Sequence, residues 1–457
     1  MGTRIKALSI GATGSGAGKT TVTLALLAAL RRRGLRVQPF KAGPDFIDPG
    51  HHFTASGLIS HNLDTWMLSP EENRAIFARH ACQADLAVVE GVMGLFDGFG
   101  PEGEEGSTAH LAKLLGIPAV LVVNAKGMAG SIAAMAGGFQ NFDPDLRWAG
   151  VIANKCGSFG HIQILRRAMS SSSLMPLLGG LLRASSLSMP ERHLGLITAE
   201  EGGLAEDTLQ RLADLAEEAI DLDRLLESLP EVAVEAPMPQ PPVSPKVRIG
   251  VARDQAFCFY YEENLRRLRR AGAELVPFSP MRDAHLPSNL QGLYLGGGYP
   301  ELFAPILAEN IDLRCDIAAA ARNGLPIFGE CGGMIYLGRS LRDLEGRVWP
   351  MCKVLPLDTA MNPKLRRLGY RQATFVKDTP LGPQGAVARG HEFHYSEITT
   401  LHGGASEDLF QLSGRNGSSP AFAGLRVANT LGSYLHFHFG SNPKLAEHFV
   451  AFCRRNA

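Results

Sequence analysis

The stretch GATGSGAGKTTVTLALLAALRRRG (11–34) constrains this chain more than any other. The apolar run before it, IKALSIGA (5–12), reads as a buried strand. After the glycine-rich turn, Leu24, Leu27 and Leu30 recur at helical spacing, and Gly34 is a suitable C-cap. Strand, loop and helix in that order belong to an α/β domain built on a parallel sheet. In such a loop, successive backbone N–H groups cradle phosphates, Lys19 neutralises the β/γ oxygens and Thr20 reaches Mg²⁺. Gly14, Gly16, Gly18 and Thr21 complete the expected nucleotide contacts. The simplest form of the motif asks for Gly at position 13, where this chain has Thr. Gly14 and Gly16 are therefore expected to supply the backbone freedom.

Ligands of open parallel sheets bind outside the carboxyl ends of the strands, so strand-end residues should converge on this loop. RVQPFKAG (36–43) reads as a strand and runs into KAGPDFIDPGHH (41–52), which brings Lys41, Asp45 and Asp48. DLAVVEG (85–91) ends with Glu90. Carboxylates at these places hold Mg²⁺ or activate an acceptor. Thr20, Asp48 and Glu90 are the candidate metal ligands, and Asp45, Asp48 and Glu90 the candidate catalytic acids. AVLVVNA (119–125) and WAGVIANK (148–155) supply further strands. Asn154 ends the latter where such folds contact the base. No Asp follows Lys155, which favours ATP over a guanine nucleotide. GSTAHLAKLL (106–115) and PERHLGL (190–196) are candidate substrate loops.

The apolar-and-helical alternation breaks once, at LPEVAVEAPMPQPPVSPKV (229–247), where five prolines fall within residues 237–247. Such a segment neither continues a helix nor pairs in a central strand, and it reads as a connector. The expected organisation is a first domain over 1–229, a linker over 230–246 and a second domain over 247–457. VRIGVAR (247–253), ELVPFSP (274–280), GLYLGGG (292–298) and LPIFGE (325–330) restart the strand pattern. Beyond about residue 345, β-rich segments lead to a final helix at 443–455.

In the second domain FGECGGMIYLG (328–338) puts Cys331 between a buried strand and a helical pattern beginning at MIYLGRSL (334–341). A strand–turn–helix with flanking glycines lifts a side chain above a parallel sheet. It also sets the sulfur at a helix N-terminus, where N–H groups favour a thiolate. A thiol needs a base at neutral pH, and GSYLHFHFGSNP (432–443) offers His436 or His438. The glycine run of LYLGGGYPE (293–301) can supply oxyanion donors. Together these form a thiol amidase constellation.

The 457 residues carry 45 basic and 45 acidic side chains, so charge draws the chain neither to nucleic acid nor to an anionic membrane. No apolar run reaches spanning length, and MGTRIKALSI lacks the apolar core of a signal peptide. Seven scattered cysteines without metal spacing suit a reducing cytoplasm. The expected compartment is cytoplasmic.

Over nearly its whole length the chain resembles the cobyrinate a,c-diamide synthases, two-domain glutamine-dependent amidoligases of corrinoid biosynthesis. The resemblance rests on SGAGKTT, KAGPDFIDPGHH, NLDTWML, VVEGVMGLFDG, GSTAHLAKLLGIPAVLVVNAKGMAGS, PERHLGL, FCFYYEENL, LYLGGGYPELFA, GECGGMIYLG, GHEFHYSEI and SYLHFHFGSNP, in order and spacing. It implies a dethiobiotin-synthetase-like P-loop domain followed by a class I glutamine amidotransferase-like α/β domain. It implies that Cys331 attacks glutamine to release ammonia, with His436 as its histidine. ATP and Mg²⁺ would convert the a and c carboxylates of cobyrinate into acyl phosphates, which ammonia displaces. Lys19, Thr20, Asp45, Asp48 and Glu90 match the ligase-site positions. Related triad enzymes carry Glu two residues after the histidine; here that position is His438. The implied partners are cobyrinate, L-glutamine and ATP, with no nucleic acid and no membrane, and a homodimer is left open.

The same motifs leave nickel-sirohydrochlorin and hydrogenobyrinate open as alternative tetrapyrroles. A partitioning or regulatory P-loop ATPase is the alternative from another class. Such proteins usually carry Lys where this chain has Gly14, and they have no need of Cys331 with His436. Making ammonia in an enclosed site and passing it on keeps it unprotonated, so the two domains are expected to pack together.

Overall fold

A computed structural model describes residues 3–100, 104–170, 174–183, 191–192, 195–196, 202, 204–235, 244–414 and 421–456. The chain divides into two compact units, Met1–Pro239 and Gln240–Ala457.

In the first unit the strand Thr3–Ala12 is central, flanked by Leu86–Glu90 and Ala119–Asn124 in parallel pairing. The parallel order across the sheet is His61–Leu63, Val37–Ala42, Leu86–Glu90, Thr3–Ala12, Ala119–Asn124, Trp148–Cys156 and Leu177–Leu182. Val37–Ala42 and Leu86–Glu90 are buried at every position, as expected of strands covered on both faces. The helix Lys19–Arg32 buries ten residues because it lies between the sheet and the helix Glu206–Ala219. Thr20 and Thr21 are half-buried in its first turn, and its C-terminal turn is exposed, where Arg31 and Arg32 complement the helix dipole.

One segment departs from the sequence reading. Glu231–Val234, expected within the linker, pairs antiparallel with Thr3–Lys6. No proline falls in these four residues, so nothing prevents the ladder. The proline-dense part, residues 236–243, lies outside the described residues. Of PERHLGL, Glu191–Arg192 pairs with Gly195–Leu196, and the remainder also lies outside them.

The second unit has a six-stranded sheet in the order Ala273–Phe278, Val247–Ala252, Gly292–Leu295, Ile327–Glu330, Thr430–Ser433 and Leu425–Val427. All pairs are parallel except the last. A five-stranded antiparallel sheet, centred on Arg367–Phe375 and Val387–His394, ends at His436–Phe437. Phe375, Phe410 and Phe437 from it pack in one core with Tyr294 and Phe328 of the parallel sheet. The helix after Cys331 is shorter than its pattern suggests. It covers Gly332–Leu337 and stops at Gly338, because Ser340–Arg342 turns into a strand paired with Leu357–Met361. The final helix runs over Lys444–Arg455.

Candidate active sites

The phosphate loop of the first unit takes its shape from two glycines. Gly16 and Gly18 are left-handed, at φ +75° and +96°. Gly14 is not among the left-handed residues, so the turn does not draw on its freedom as expected. A β-carbon at Gly18 would fall 1.9 Å from the Asn154 amide nitrogen. Asn154 itself donates to the Ala17 carbonyl at 2.9 Å, and Lys155 to that of Gly16 at 2.9 Å. The residue read as a base contact thus braces the loop from the neighbouring strand end. Thr21 follows Lys19 and Thr20 in the first turn of the helix.

Lys19 donates to the Met93 carbonyl, in the VMG turn that follows Glu90. Burial and the Lys41 charge lower its ammonium pKa, against the pull of Glu90, Asp48 and Asp97. Thr20 Oγ1 lies 2.7 Å from Glu90 Oε1 and 3.4 Å from Asp48 Oδ2. Lys41 lies between these same carboxylates, 2.5 Å from Asp48 and 3.0 Å from Glu90. Three strand ends thus deliver one cluster. A lone buried ammonium would be driven neutral by desolvation, but the carboxylates more than offset this and keep Lys41 above its ordinary value. Burial, Asp45 and Glu90 push Asp48 up. Burial alone would raise Glu90 too, yet Lys41, His52 and Thr20 hold it well below the carboxylate range.

Asp45 has a different place. Its carboxylate accepts the N–H groups of Ile47 and Asp48, at 2.8 and 3.0 Å, and so fixes the entry of the helix that carries Asp48. His52, unassigned in the sequence reading, reaches Glu90 Oε2 at 2.7 Å while its other ring nitrogen meets Ser60 Oγ at 3.0 Å. One helical turn after Asp48, it orients the Glu90 carboxylate. Thr20, Asp48 and Glu90 offer the oxygen donors that suit Mg²⁺, which takes one or two carboxylates alongside phosphate oxygens and water.

In the second unit Cys331 has φ +46° and ψ −103°, a strained conformation for a residue with a β-carbon. Two contacts maintain it. The Cys331 N–H donates to Ser433 O at 2.7 Å, and the glycines on its far side admit neighbouring backbone. A β-carbon at Gly333 would fall 2.2 Å from Leu295 O, and one at Gly332 would fall 3.1 Å from Gly298 N. The glycine run 296–298 therefore packs directly under the elbow. It also touches the histidine, since a β-carbon on Gly297 would fall 2.4 Å from His436 Cε1. Cys331, His436 and the glycine turn are brought together as the sequence suggests.

Both side chains are buried, Cys331 at 7% exposure and His436 at 2%. Burial pushes the Cys331 thiol up, reinforced by the negative charge of Glu301, although the Gly332 N–H works the other way. Burial and the nearby His394 take His436 down to about 3. The resting pair is thus a neutral thiol and a neutral imidazole. His438 Nδ1 accepts the Gly440 N–H at 3.0 Å, and its ring lies against Tyr261. That bond occupies the His438 Nδ1 lone pair.

The residue before the cysteine proves as informative as the cysteine. Glu330 accepts the Phe437 N–H at 3.0 Å and the Tyr294 hydroxyl at 2.7 Å. One carboxyl group therefore ties the elbow strand to the histidine strand and to the strand that enters the glycine turn. Burial raises its pKa to about 8. Sequence inspection missed Glu330, as well as His391, which stacks on His436 at 5.0 Å and bonds Tyr261 at 2.9 Å. The quoted stretches GECGG, GHEFHYSEI and FCFYYEENL contained all three residues, but their spacing does not show that they meet.

Residues 8–197 match the family of CobQ/CobB/MinD/ParA nucleotide binding domains, and residues 248–444 the CobB/CobQ-like glutamine amidotransferase domain. The chain is 43% identical over 461 residues to the cobyrinate a,c-diamide synthase of Leptospira interrogans serovar copenhageni, covering 100% of both chains. It is 46% identical over 451 residues to that of Syntrophotalea carbinolica, covering 98% of each. It is 42% identical over 459 residues to that of Salmonella typhimurium, again covering 100% of both.

Proposed function

The chain belongs to the cobyrinate a,c-diamide synthase family, and from that premise we propose that it amidates the a and c carboxylates of cobyrinate with ATP and glutamine. The observation that carries the proposal is the presence, in one chain, of two separate centres: the Lys19–Thr20–Glu90 cluster at a phosphate loop and the strained Cys331 elbow beside His436.

At the second centre His436 takes the thiol proton as sulfur attacks the glutamine side-chain carbon. The oxygen becomes an oxyanion facing backbone N–H groups of the elbow and of the glycine turn. Collapse gives the thioester, and the departing ammonia receives the proton. Water then splits the thioester to glutamate and restores the thiol. A neutral resting pair suits this order, because negative charge appears only once substrate brings the carbonyl to the donors.

At the first centre a carboxylate oxygen of the tetrapyrrole attacks the γ-phosphorus of ATP and ADP leaves. Ammonia adds to the acyl phosphate, phosphate departs and the amide loses a proton. Lys19 and the loop N–H groups stabilise the charge that moves onto the β/γ oxygens. Thr20, Asp48 and Glu90 would hold Mg²⁺, which neutralises phosphate charge when bound. Lys41 and His52 keep these carboxylates in place, and Asp45 fixes the helix of Asp48. The proposed compartment is the cytoplasm; among the described residues no helix is long and apolar enough to cross a membrane.

Purified protein supplied with ATP, Mg²⁺ and glutamine should convert cobyrinate to a diamide faster than it converts nickel-sirohydrochlorin or hydrogenobyrinate. Faster turnover of either of those would reassign the substrate. Glutamine-independent, partner-stimulated ATP hydrolysis without amide formation would reject the amidoligase reading.

A further inference from the structure

A cavity of about 800 Å³ opens in the second unit beside the elbow. His394, Tyr434, Glu392, Glu407, Arg367 and Arg371 line it, and none was given a role by the sequence reading. Its inner wall adjoins the nucleophile. Tyr434 directly follows Ser433, whose carbonyl holds the Cys331 N–H. Both Glu392 and Tyr434 interact electrostatically with the Cys331 thiol.

The wall has a definite hydrogen-bonding character. His394, 8% exposed, stacks on Tyr434 with ring centres 3.8 Å apart. Its Nδ1 lies 2.8 Å from the Ser396 carbonyl, which can only accept, so Nδ1 carries the proton. Nε2 is then a bare lone pair, buried and without a partner among the described residues. Burial, together with Arg367 and Arg371, takes the imidazole to about 4, so it does not meet this need by binding a proton at neutral pH. Two carboxylates accompany it. Glu392 is paired with Arg371 at 2.7 Å. Glu407 has no cationic partner among the described residues, and burial and Glu392 raise its pKa. Glu407 does accept the Gly424 N–H, but the two carboxylates and the His394 Nε2 lone pair still give this lining a surplus of acceptors that a cationic donor would suit. Arg366 is committed to Glu397, whereas Arg367 stands exposed on the rim with no acidic partner among the described residues.

We propose that this cavity holds the amino-acid head of L-glutamine, its α-ammonium on Glu407 and His394 Nε2 and its α-carboxylate on Arg367, with the side-chain amide directed to Cys331. The assignment rests on the glutamine reading of Cys331. An ammonium brings the donors that the acceptor cluster lacks, and a carboxylate meets the one uncommitted arginine. A ligand bearing only carboxylates would meet Glu392 and Glu407 with like charge.

The test uses full-length protein and two substrates, L-glutamine and 4-carbamoylbutanoate, which differ only by the α-amine. Wild type should prefer glutamine by about a hundredfold in kcat/KM. Glu407→Gln should raise the glutamine KM about tenfold or more, the scale of losing one hydrogen bond to a charged group, with a much smaller change in kcat. It should not weaken use of 4-carbamoylbutanoate, from which it removes a like charge, so the preference narrows. His394→Phe keeps the stacking on Tyr434, removes the acceptor and should shift KM in the same direction. Equal use of both substrates by wild type, or equal losses on both in a folded variant, would overturn the assignment. Labelling by 6-diazo-5-oxo-L-norleucine separates this outcome from failure of the underlying reading. A labelled Cys331 in wild type with unaltered KM in both variants rejects this pocket alone. An unlabelled Cys331 in protein that hydrolyses no glutamine rejects the amidotransferase reading and the pocket with it.

Discussion

Cys331→Ala is expected to lose glutamine-dependent amidation by on the order of 10⁴-fold or more, the scale seen when a covalent nucleophile is removed. Alanine cannot form the thioester, and neither His436 nor the glycine turn can replace the sulfur. The substitution deletes one atom at a position with φ +46°, where Ala and Cys bear similar backbone strain, so the elbow should keep its shape. The same variant should still amidate cobyrinate when given concentrated ammonium salt at alkaline pH. Free ammonia is then present, and the Lys19 cluster is untouched. Product formation with each nitrogen source, on protein shown to be folded, checks both halves. Near-normal glutamine use would make Cys331 an ordinary buried thiol.

Lys19→Ala should fail with either nitrogen source, by on the order of 10³-fold. On the proposed reading its ammonium is the loop's positive charge at the transferring phosphate, and among the described residues neither Lys41 nor Lys155 is free to replace it. Lys41 is committed to Asp48 and Glu90. Lys155 reaches back to the Gly16 carbonyl on the other side of the loop. Glutamine hydrolysis at Cys331 should persist in this variant, since the sulfur, His436 and Glu330 all belong to the other unit. Loss of glutaminase activity alongside amidation would indicate that the two chemistries are coupled more tightly than two separate centres require.

Sequence made the loop and the elbow legible because each is a local device. In each, a strand, a glycine turn and a helix follow one another directly along the chain, and Gly18 and Gly333 are needed for contacts that would clash with any β-carbon. Strand ends were legible for a similar reason: the parallel sheet gathers Lys41 and Glu90 whatever the loops between them do. What stayed hidden depends on contacts distant in sequence. Glu330 meets the Phe437 backbone across 107 residues, through a sheet whose pairing no local pattern specifies. His394 ends one strand and stacks on Tyr434 in the bend after another, and Glu407 reaches the same cavity from a loop. Asn154 was placed at the correct strand end, but its direction depends on the carbonyl of Ala17. The short helix after Cys331 was overextended because MIYLG and RSL share a helical pattern, while tertiary pairing claims Ser340–Arg342 for a strand.

The central claim is that ATP activates the carboxylate and glutamine supplies the nitrogen. The most direct measurement follows isotopes through one turnover, using cobyrinate with ¹⁸O-labelled carboxylates and glutamine with a ¹⁵N-labelled amide. Mass spectrometry should find two ¹⁵N atoms in the diamide and one ¹⁸O in each phosphate released, because the bridging oxygen of an acyl phosphate leaves with phosphorus. Phosphate without ¹⁸O, or a product without ¹⁵N, would contradict the account.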